Sequence, residues 1–315
     1  MNKNSRIFIA GHNGLVGSAV HRLLVRKGYN KIYTASKKKL DLKDAIKVEA
    51  FIKNNKIEYL IMCAARAGGI LANSRYPVEF FNENILIQNS LLNAALKFRI
   101  KRTIFLGTSC IYPDKVRTPI REESLLTGKL HPSNEAYAIA KIAGIKLCNA
   151  LYHQYKLDVV ALMPTNVYGP NDKYSEEMSH VIPAMILKFL KAKKNKQKII
   201  ELWGDGSPKR EFIFSDDLAD AIYKIIKTSK IKLFKMSKNK FPLINIGTKD
   251  IYSIKDLAET IKNKINYRGK IFFNKKYPNG VINKDLNLDI MKKLHWKHKV
   301  SLNKGLDIVL RDLKI

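Results

Sequence analysis

A tyrosine and a lysine four positions apart, Tyr137 and Lys141, have the types and spacing that most directly suggest chemistry. Residues four apart on a helix lie on the same face, so the ammonium can approach the phenol. A positive charge there favours the phenolate and lowers the phenol pKa from its ordinary value of about 10. Such a phenol can pass a proton to a carbonyl oxygen while hydride reaches the carbon. Because the spacing alone is more often structural, its meaning depends on the elements around it.

A glycine turn with the spacing Gly-x-x-Gly-x-x-Gly follows the first apolar strand near the N-terminus. Glycines let backbone N–H groups and a helix N-terminus approach a pyrophosphate without a Cβ in the way. A plain strand-to-helix turn is the structural alternative, but together with Tyr137 and Lys141 the turn predicts a nicotinamide dinucleotide site. The residues assigned to the cofactor here are Gly11, His12, Asn13, Gly14, Leu15, Val16 and Gly17.

The end of the second predicted strand, 31–35, bears on which dinucleotide binds. It offers no acidic residue for a ribose 2′-hydroxyl, whereas Lys37 can meet a 2′-phosphate. We therefore favour NADP(H) over NAD(H), and we expect Asp41 and Leu42 to lie against the adenine.

The composition is that of an ordinary globular protein with an unusual charge. The chain has 315 residues, 46% of them hydrophobic and 27% charged, and a net charge of +31. The lysines are spread along the whole chain and are not interleaved with aromatic residues, as they are in single-strand-binding proteins. We interpret the charge as compositional drift rather than nucleic-acid binding, although it can help attract an anionic substrate and cofactor.

The sequence also bears on location and on metal binding. No apolar run approaches the roughly 20 residues of a membrane span, and the N-terminus has no signal-peptide core. Cys63, Cys110 and Cys148 show neither paired nor metal-ligand spacing. We expect a cytoplasmic protein that binds no metal, no membrane and no nucleic acid.

Short, fully apolar strands alternate with helical segments through the first half of the chain. This pattern indicates an α/β fold with a doubly wound parallel sheet covered on both faces. The strands are predicted at 7–10, 31–35, 60–64, 103–107 and 158–163, and the segments 212–221 and 243–246 are expected to return to the sheet region. Helices are predicted at 18–27, at 181–191 and at 253–265, the last opened by a serine N-cap.

Six motifs, in order and with the expected spacing, resemble the GDP-L-fucose synthases, a family of extended short-chain dehydrogenase/reductases that act on nucleotide sugars. They lie at 9–19, 68–70, 108–113, 134–144, 164–170 and 179–184. The family converts GDP-4-keto-6-deoxy-D-mannose to GDP-L-fucose by epimerisation at C3 and C5 and NADPH reduction at C4. The resemblance runs over essentially the whole chain and implies the same fold and activity here.

The resemblance implies roles in the reduction. Thr108 stands at the family's catalytic serine position, where its hydroxyl can donate to the sugar carbonyl. Tyr137 would protonate the C4 oxygen, and Lys141 would bind the nicotinamide ribose. The further cofactor positions that the resemblance implies are Pro164, Asn166, Val167 and His180.

The resemblance also implies roles in epimerisation and in substrate binding. Proton exchange beside a ketone needs acid–base groups on both faces of the ring, and Cys110 and His180 match the family's pair. Lys188, Trp203 and Arg210 match its substrate-binding positions, with Arg210 and Lys188 suited to diphosphate oxygens. The loop 279–284 departs from the family's Asp-Gly-Thr-Pro-Arg-Lys, and there Asn279 keeps a hydrogen-bonding side chain without the carboxylate.

The predicted organisation follows from the fold and the resemblance together. We expect an NADP-binding domain at 1–170 plus about 212–250, and a smaller interleaved sugar-nucleotide-binding domain at about 171–211 plus 251–315. A homodimer through the helices at 84–97 and 137–154 is implied by the resemblance. The alternatives are a related GDP-sugar epimerase or 4-reductase, for example on a GDP-4-keto-6-deoxyheptose, a redox-sensing binding protein, and a nucleic-acid binder.

Overall fold

A parallel β-sheet forms the centre of the fold, in a computed structural model that describes residues 1–238, 241–277 and 284–315. Within the described residues the strands are β1 (Ile7–Ala10), β2 (Ile32–Tyr33), β3 (Tyr59–Met62), β4 (Arg102–Leu106), β5 (Val159–Pro164), β6 (Asn166–Tyr168), β7 (Ile199–Trp203), β8 (Lys209–Phe214), β9 (Leu243–Ile246), β10 (Ile251–Ser253) and β11 (Lys270–Asn274). Six of them pair in the order β2-β1-β3-β4-β5-β9, with all neighbours parallel. The predicted doubly wound parallel sheet is confirmed.

Both faces of this sheet are buried because successive side chains of a strand point to opposite sides. In β1, Ile7 and Ile9 belong to one apolar cluster, and Phe8 and Ala10 belong to another. All four are at most 1% exposed. Apolar side chains are favoured at every position of a strand buried on both faces, which is why the sequence of β1 is continuously apolar.

Helices cover the two faces. The helices within the described ranges are α1 (Leu15–Arg26), α2 (Ala45–Asn54), α3 (Ile70–Arg75), α4 (Pro77–Lys97), α5 (Glu135–Tyr155), α6 (Val181–Lys194), α7 (Ser215–Lys227), α8 (Lys230–Met236), α9 (Ile254–Ile265), α10 (Asp289–Lys293) and α11 (Leu302–Asp312). Helices α4 and α5 pack on the face of Phe8, whereas α1 and α7 pack on the face of Ile7. None of the helices in this part of the chain has the length and apolar character needed to cross a lipid bilayer.

A third apolar cluster joins α6, α9 and α11 to two small sheets. One sheet has the order β10-β8-β6, and the other pairs β11 with β7. Leu286 and Met291 follow in the chain, but they pack with the two clusters of the six-stranded sheet. The domain boundaries given above stay a prediction.

The expected return of 212–221 to the sheet region is only partly correct. Strand β8 ends at Phe214 and pairs with β6 and β10, outside the six-stranded sheet. Helix α7 begins at Ser215, and its apolar residues Leu218 and Ile222 are spaced to cover the sheet rather than extend it. By contrast, 243–246 does join the sheet as β9.

Local capping explains where two helices begin. The Ser253 hydroxyl accepts the N–H of Asp256 at 3.0 Å, and the Asp256 carboxylate accepts the N–H of Ser253. This capping box starts α9 at Ile254, so the predicted serine N-cap is confirmed. Helix α1 begins at Leu15, directly after Gly14, and therefore earlier than the predicted start at Ser18.

A buried polar network fixes the segment that follows β4. The Tyr112 hydroxyl donates to Asn245 Oδ1 at 2.6 Å, and Asn245 Nδ2 donates to the Ile120 carbonyl at 3.0 Å. The Asn245 N–H donates to Glu122 Oε1 at 3.0 Å. Tyr112 and Asn245 are at most 1% exposed. Water cannot reach their polar groups, so these groups depend on the hydrogen bonds within the protein.

Replacing Tyr112 by phenylalanine should lower the free energy of unfolding by about 1–3 kcal/mol, because Asn245 Oδ1 is left buried without a donor. Chemical denaturation of the purified protein measures this change. The control is Tyr155→Phe, on a side chain that is 43% exposed, which should change stability by less than about 0.5 kcal/mol. Equal effects in the two variants would show that the Tyr112 hydrogen bond contributes nothing to stability.

Candidate active site

A cleft of about 880 Å³ opens at the carboxyl edge of the six-stranded sheet. The segments that follow β1, β3, β4 and β5 all line it, as expected for ligand sites of doubly wound folds. The predicted site residues found in its wall are Asn13, Gly14, Leu15, Val16, Thr108, Cys110, Tyr137, Lys141, Pro164, Asn166, Val167, His180, Lys188, Trp203 and Arg210. The structure therefore brings together most of the predicted residues, from seven different segments of the chain.

The glycine turn has the shape that a dinucleotide pyrophosphate requires. Gly11 has φ +90°, and a Cβ there would lie 2.6 Å from the Ala64 nitrogen. A Cβ on Gly17 would lie 2.1 Å from the Gly11 carbonyl oxygen. Gly14 is different, because it caps the N-terminus of α1 and lines the cleft. Because Gly14 has no side chain, the cleft is open beside the N-terminus of α1. An anion can approach the first N–H groups of the helix there.

The residues predicted for the adenosine end lie beyond the cleft wall. Lys37 is exposed after β2. Asp41 Oδ1 accepts the N–H of Lys43 at 3.1 Å, and the carbonyl of Leu42 accepts the Ser90 hydroxyl. Their roles stay predictions, as do those of Gly11, His12 and Gly17. Asn279 lies outside the described residues.

Thr108 and Cys110 are positioned by a short 3₁₀ turn at the end of β4. Thr108 is the N-cap of the turn Ser109–Ile111, and its Oγ1 accepts the N–H of Cys110 at 3.2 Å. The hydroxyl of Thr108 keeps its own proton for donation, since Oγ1 is the acceptor in that bond. The turn thus presents a hydroxyl and a thiol at the same edge of the sheet.

Tyr137 and Lys141 lie in the first two turns of α5, both in the cleft wall. The Tyr137 ring meets Phe80 edge to face at a centroid distance of 6.0 Å. Lys141 Nζ donates to the Leu106 carbonyl at 2.9 Å. Burial lowers the pKa of Lys141 to about 8.

The expected lowering of the Tyr137 pKa by Lys141 is wrong for the protein without ligand. Burial, and to a smaller extent the charge of Cys110, raise the pKa of Tyr137 instead. Desolvation disfavours the phenolate, and the nearby Lys141 does not offset this effect. Tyr137 is therefore a protonated phenol at neutral pH, in the form that can donate.

His180 caps the N-terminus of α6 and is accessible from the cleft. The side chain is exposed by surface area, but the protein atoms packed around the ring still desolvate it, and this desolvation lowers its pKa. The charge of Lys173 lowers the pKa further. The neutral imidazole, which can accept a proton, is therefore favoured. Cys110 is close enough to Tyr137 and Arg210 that its charge raises the pKa of each.

The predicted substrate residues line the same cleft. Ala184, Lys188 and Lys191 are three or four positions apart in α6 and therefore lie on one face of the helix. This face lines the cleft. Arg210 Nη1 donates to the Lys209 carbonyl at 2.8 Å, and burial lowers its pKa without removing the charge. Trp203, 48% exposed, also lines the cleft.

Three residues of this region were not predicted. Lys284 lines the cleft and is only 8% exposed. Lys173 lines it in the loop before α6. Tyr277 stacks on Trp203 at a centroid distance of 4.5 Å and an interplanar angle of 14°. The resemblance pointed to the loop that ends in Lys284, but no spacing pattern marks Lys173 or Tyr277.

A doubly wound sheet with a glycine turn after β1, and with Thr108, Tyr137 and Lys141 at one edge, defines a dinucleotide-binding short-chain dehydrogenase/reductase. Comparison with known families agrees, since residues 7–236 match the model of the NAD dependent epimerase/dehydratase family. The chain belongs to this family, and the predicted resemblance is confirmed.

Individual relatives are similar over nearly the whole chain. The chain is 41% identical over 305 residues to GDP-L-fucose synthase 1 of Arabidopsis thaliana, covering 96% of this chain and 91% of that protein. A GDP-6-OMe-4-keto-L-xylo-heptose reductase from C. jejuni superposes with a TM-score of 0.94 at 32% identity, covering 100% and 99% of the two chains. A GDP-D-glycero-L-gluco-heptose synthase from Campylobacter jejuni, solved in the presence of NADPH, has a TM-score of 0.91 at 32% identity, covering 100% of both chains.

The buried amine of Lys141 should make stability depend on pH in a defined direction. Because burial lowers its pKa from 10.5 to about 8, the folded protein binds fewer protons than the unfolded chain between these values. Stability therefore rises with pH across this window, and the cost of the buried charge is fully present below it. Lys141→Met removes the cost, so its free energy of unfolding relative to wild type should fall as pH increases from 8 to 10.

Denaturation of the ligand-free protein at several pH values measures this difference. The matched control is Lys146→Met, an exposed lysine on the same helix, for which the difference should stay constant. A Lys141→Met difference that is equally constant would contradict the burial of a titrating amine at this position.

Proposed function

We propose that this protein converts GDP-4-keto-6-deoxy-D-mannose to GDP-L-fucose, by epimerisation at C3 and C5 and NADPH-dependent reduction at C4. The observation that carries the proposal is one cleft that holds Thr108, Tyr137 and Lys141 together with Cys110 and His180. The first three are suited to reducing a carbonyl, and the other two to moving protons beside it. Similarity to a GDP-L-fucose synthase over 96% of the chain supports the same activity.

The reductive half depends on residues that bind the cofactor and deliver a proton. The glycine turn and the N-terminus of α1 would hold the pyrophosphate, and Lys141 the nicotinamide ribose. When bound, NADPH supplies the hydride. Tyr137, held protonated by burial, gives its proton to the C4 oxygen, and the Thr108 hydroxyl donates a hydrogen bond to the same oxygen.

The epimerising half uses the same ketone. Removal of the proton at C3 or C5 gives an enolate whose charge rests on the C4 oxygen, where Thr108 and Tyr137 can stabilise it. His180, neutral because its pKa is lowered, is suited to accept a proton from one face. The Cys110 thiol is suited to return one to the other face.

The nucleotide end of the cleft carries several cations. Arg210, Lys188 and Lys284 line it, and a diphosphate accepts hydrogen bonds from such groups. Trp203 offers a half-exposed ring to the nucleoside. A GDP-sugar therefore fits with its diphosphate at these cations and its sugar toward Tyr137.

Another GDP-sugar is the second candidate substrate. The similarity to two C. jejuni proteins named for GDP-heptoses favours a GDP-4-keto-6-deoxyheptose as that alternative. The loop 279–283, which departs in sequence from the GDP-L-fucose synthases, is where we expect such a difference to arise.

We further propose a cytoplasmic homodimer with the two domains described from the sequence. The three free cysteines favour a reducing compartment. Apolar side chains are exposed on α4 and α5, among them Val78 (65%), Phe81 (37%) and Ile139 (42%). Exposed apolar groups on the two helices that resemble the family's dimer helices support an interface there.

The proposed activity is tested by NMR of GDP-4-keto-6-deoxy-D-mannose in D₂O, with and without NADPH. Wild type should exchange deuterium into C3 and C5, and should form GDP-L-fucose when NADPH is present. Cys110→Ser should slow exchange steeply because a hydroxyl is a far weaker acid than a thiol, and His180→Gln should do the same.

Tyr137→Phe is the reciprocal control for these variants. It should lower NADPH oxidation by about 10²- to 10⁴-fold, the usual contribution of a positioned acid. Deuterium exchange should fall less than NADPH oxidation, because Thr108 still stabilises the enolate and Cys110 and His180 are unchanged. Reduction by wild type without any exchange would eliminate the epimerase half and favour a simple 4-reductase. Turnover of a GDP-heptose ketone but not of the deoxymannose ketone would establish the second candidate.

The dimer is tested by Phe81→Lys, which puts a charge into the proposed interface. Burial of a phenylalanine contributes about 1.5–3 kcal/mol, so the dimer dissociation constant should rise at least about 10-fold by analytical ultracentrifugation. Ile46→Lys, on an 82% exposed residue of α2, should leave it unchanged. A monomeric wild type would refute the dimer.

A further inference from the structure

Glu211 is a buried carboxylate for which the proposed chemistry has no use. It lies in β8 directly after Arg210, and its side chain is fully buried. Successive side chains of a strand point to opposite faces. Arg210 lines the cleft, so Glu211 points behind it, away from the substrate.

The carboxylate is held by backbone groups from two separate segments. Oε1 accepts the N–H groups of Thr248 and Lys249, the latter at 2.7 Å, and Oε2 accepts the N–H of Leu286 at 3.4 Å. A buried carboxylate is tolerated when hydrogen bonds of this kind replace water. Glu211 therefore joins the turn after β9 to the segment that follows Lys284.

The segment that includes Leu286 is the one that carries Lys284 into the cleft. Lys249 also reaches it, since its Nζ lies 2.8 Å from Asp285 Oδ1 and donates to the Leu286 carbonyl. On the other side, the Ile120 N–H donates to the Asp285 carbonyl at 2.7 Å. These contacts fix the two residues that follow Lys284, Asp285 and Leu286.

The backbone of Glu211 reaches a third segment. Its carbonyl accepts the Thr165 hydroxyl and Asn166 Nδ2, both at 2.9 Å. Asn166 lines the cleft beside the predicted cofactor residues. Glu211 thus stands where the Arg210 strand, the Lys284 segment and the Asn166 strand meet.

We propose that the Glu211 carboxylate is a positioning residue of the nucleotide site: it holds the segment carrying Lys284 against the strand carrying Arg210, so that both cations face one diphosphate. The inference rests on the proposed function, because that function supplies the GDP. It assigns to Glu211 a part in substrate affinity, exerted through other residues, and none in proton or hydride transfer.

The test is calorimetric titration of the protein with GDP and, separately, with NADPH. Glu211→Gln keeps the size but offers one amide oxygen where two carboxylate oxygens accepted three N–H groups. GDP should bind about 10-fold more weakly, the size expected for weakening hydrogen bonds to a charged group. NADPH affinity should be unchanged, and steady-state kinetics should show a raised KM for the GDP-sugar with a smaller change in kcat.

Asp217→Asn is the matched control. Asp217 is also buried, at 4% exposure, and its carboxylate accepts two backbone N–H groups, from Lys299 at 3.1 Å and from Val300 at 2.9 Å. It lies in α7 and holds no segment of the cleft wall. Asp217→Asn should lower the melting temperature but leave GDP affinity unchanged.

A second variant covers the case in which Glu211→Gln does not fold. Lys249 is partly exposed, and Lys249→Met removes its ion pair with Asp285 in the same segment. This variant should also lower the affinity for GDP more than the affinity for NADPH. Unchanged GDP affinity in the folded variants, or an equal loss in Asp217→Asn, would overturn the positioning role. A wild type that binds no GDP would overturn the proposed function itself, and the role of Glu211 with it.

Discussion

Burial of the parallel strands on both faces is the constraint on which the rest of the structure depends. A strand such as Val159–Pro164, buried along its whole length, cannot present a functional group from either face. Functional groups can stand only where the strands end and the chain turns back. Thr108, Cys110 and Asn166 all occupy such positions, and Tyr137 and Lys141 reach the same edge from α5.

The apolar core therefore determines where the functional groups stand. The polar network behind the cleft determines how rigidly the segments that carry them are held. The 3₁₀ turn that carries Cys110 continues into Tyr112, which is bound to Asn245 of β9. Asn245 in turn binds the Ile120 carbonyl, and Ile120 pairs with the segment of Leu286. Each link is a hydrogen bond away from water, where a broken bond is costly. The thiol turn and the Lys284 segment thus share one support.

The sequence could predict what depends on local pattern. The continuous apolar runs marked the strands of the main sheet, and a serine followed three residues later by an aspartate marked the start of α9. The segment 212–221 was predicted less well, because a short strand and a helix follow each other there without a loop. Leu218 and Ile222 have the spacing of a helix, whereas Phe212 to Phe214 belong to the strand. Lys284 is held in the site because Leu286, two residues later, contacts Glu211 and Ile120, which are distant in sequence and leave no local signal. Burial of Tyr137 likewise depends on the completed fold, so the direction of its pKa shift could not be predicted from Lys141 alone.

The environments of Tyr137 and His180 support different roles for them at the same pH. Burial raises the pKa of the phenol and lowers that of the imidazole, because desolvation always disfavours the charged form. The phenol is thereby kept as a proton donor and the imidazole as a proton acceptor. A proton donor and a proton acceptor in one cleft are the groups that enolisation and reduction of a ketone use. Desolvation by the surrounding protein atoms thus shifts the two pKa values in opposite directions, and the charges of Cys110 and Lys173 add smaller shifts in the same directions.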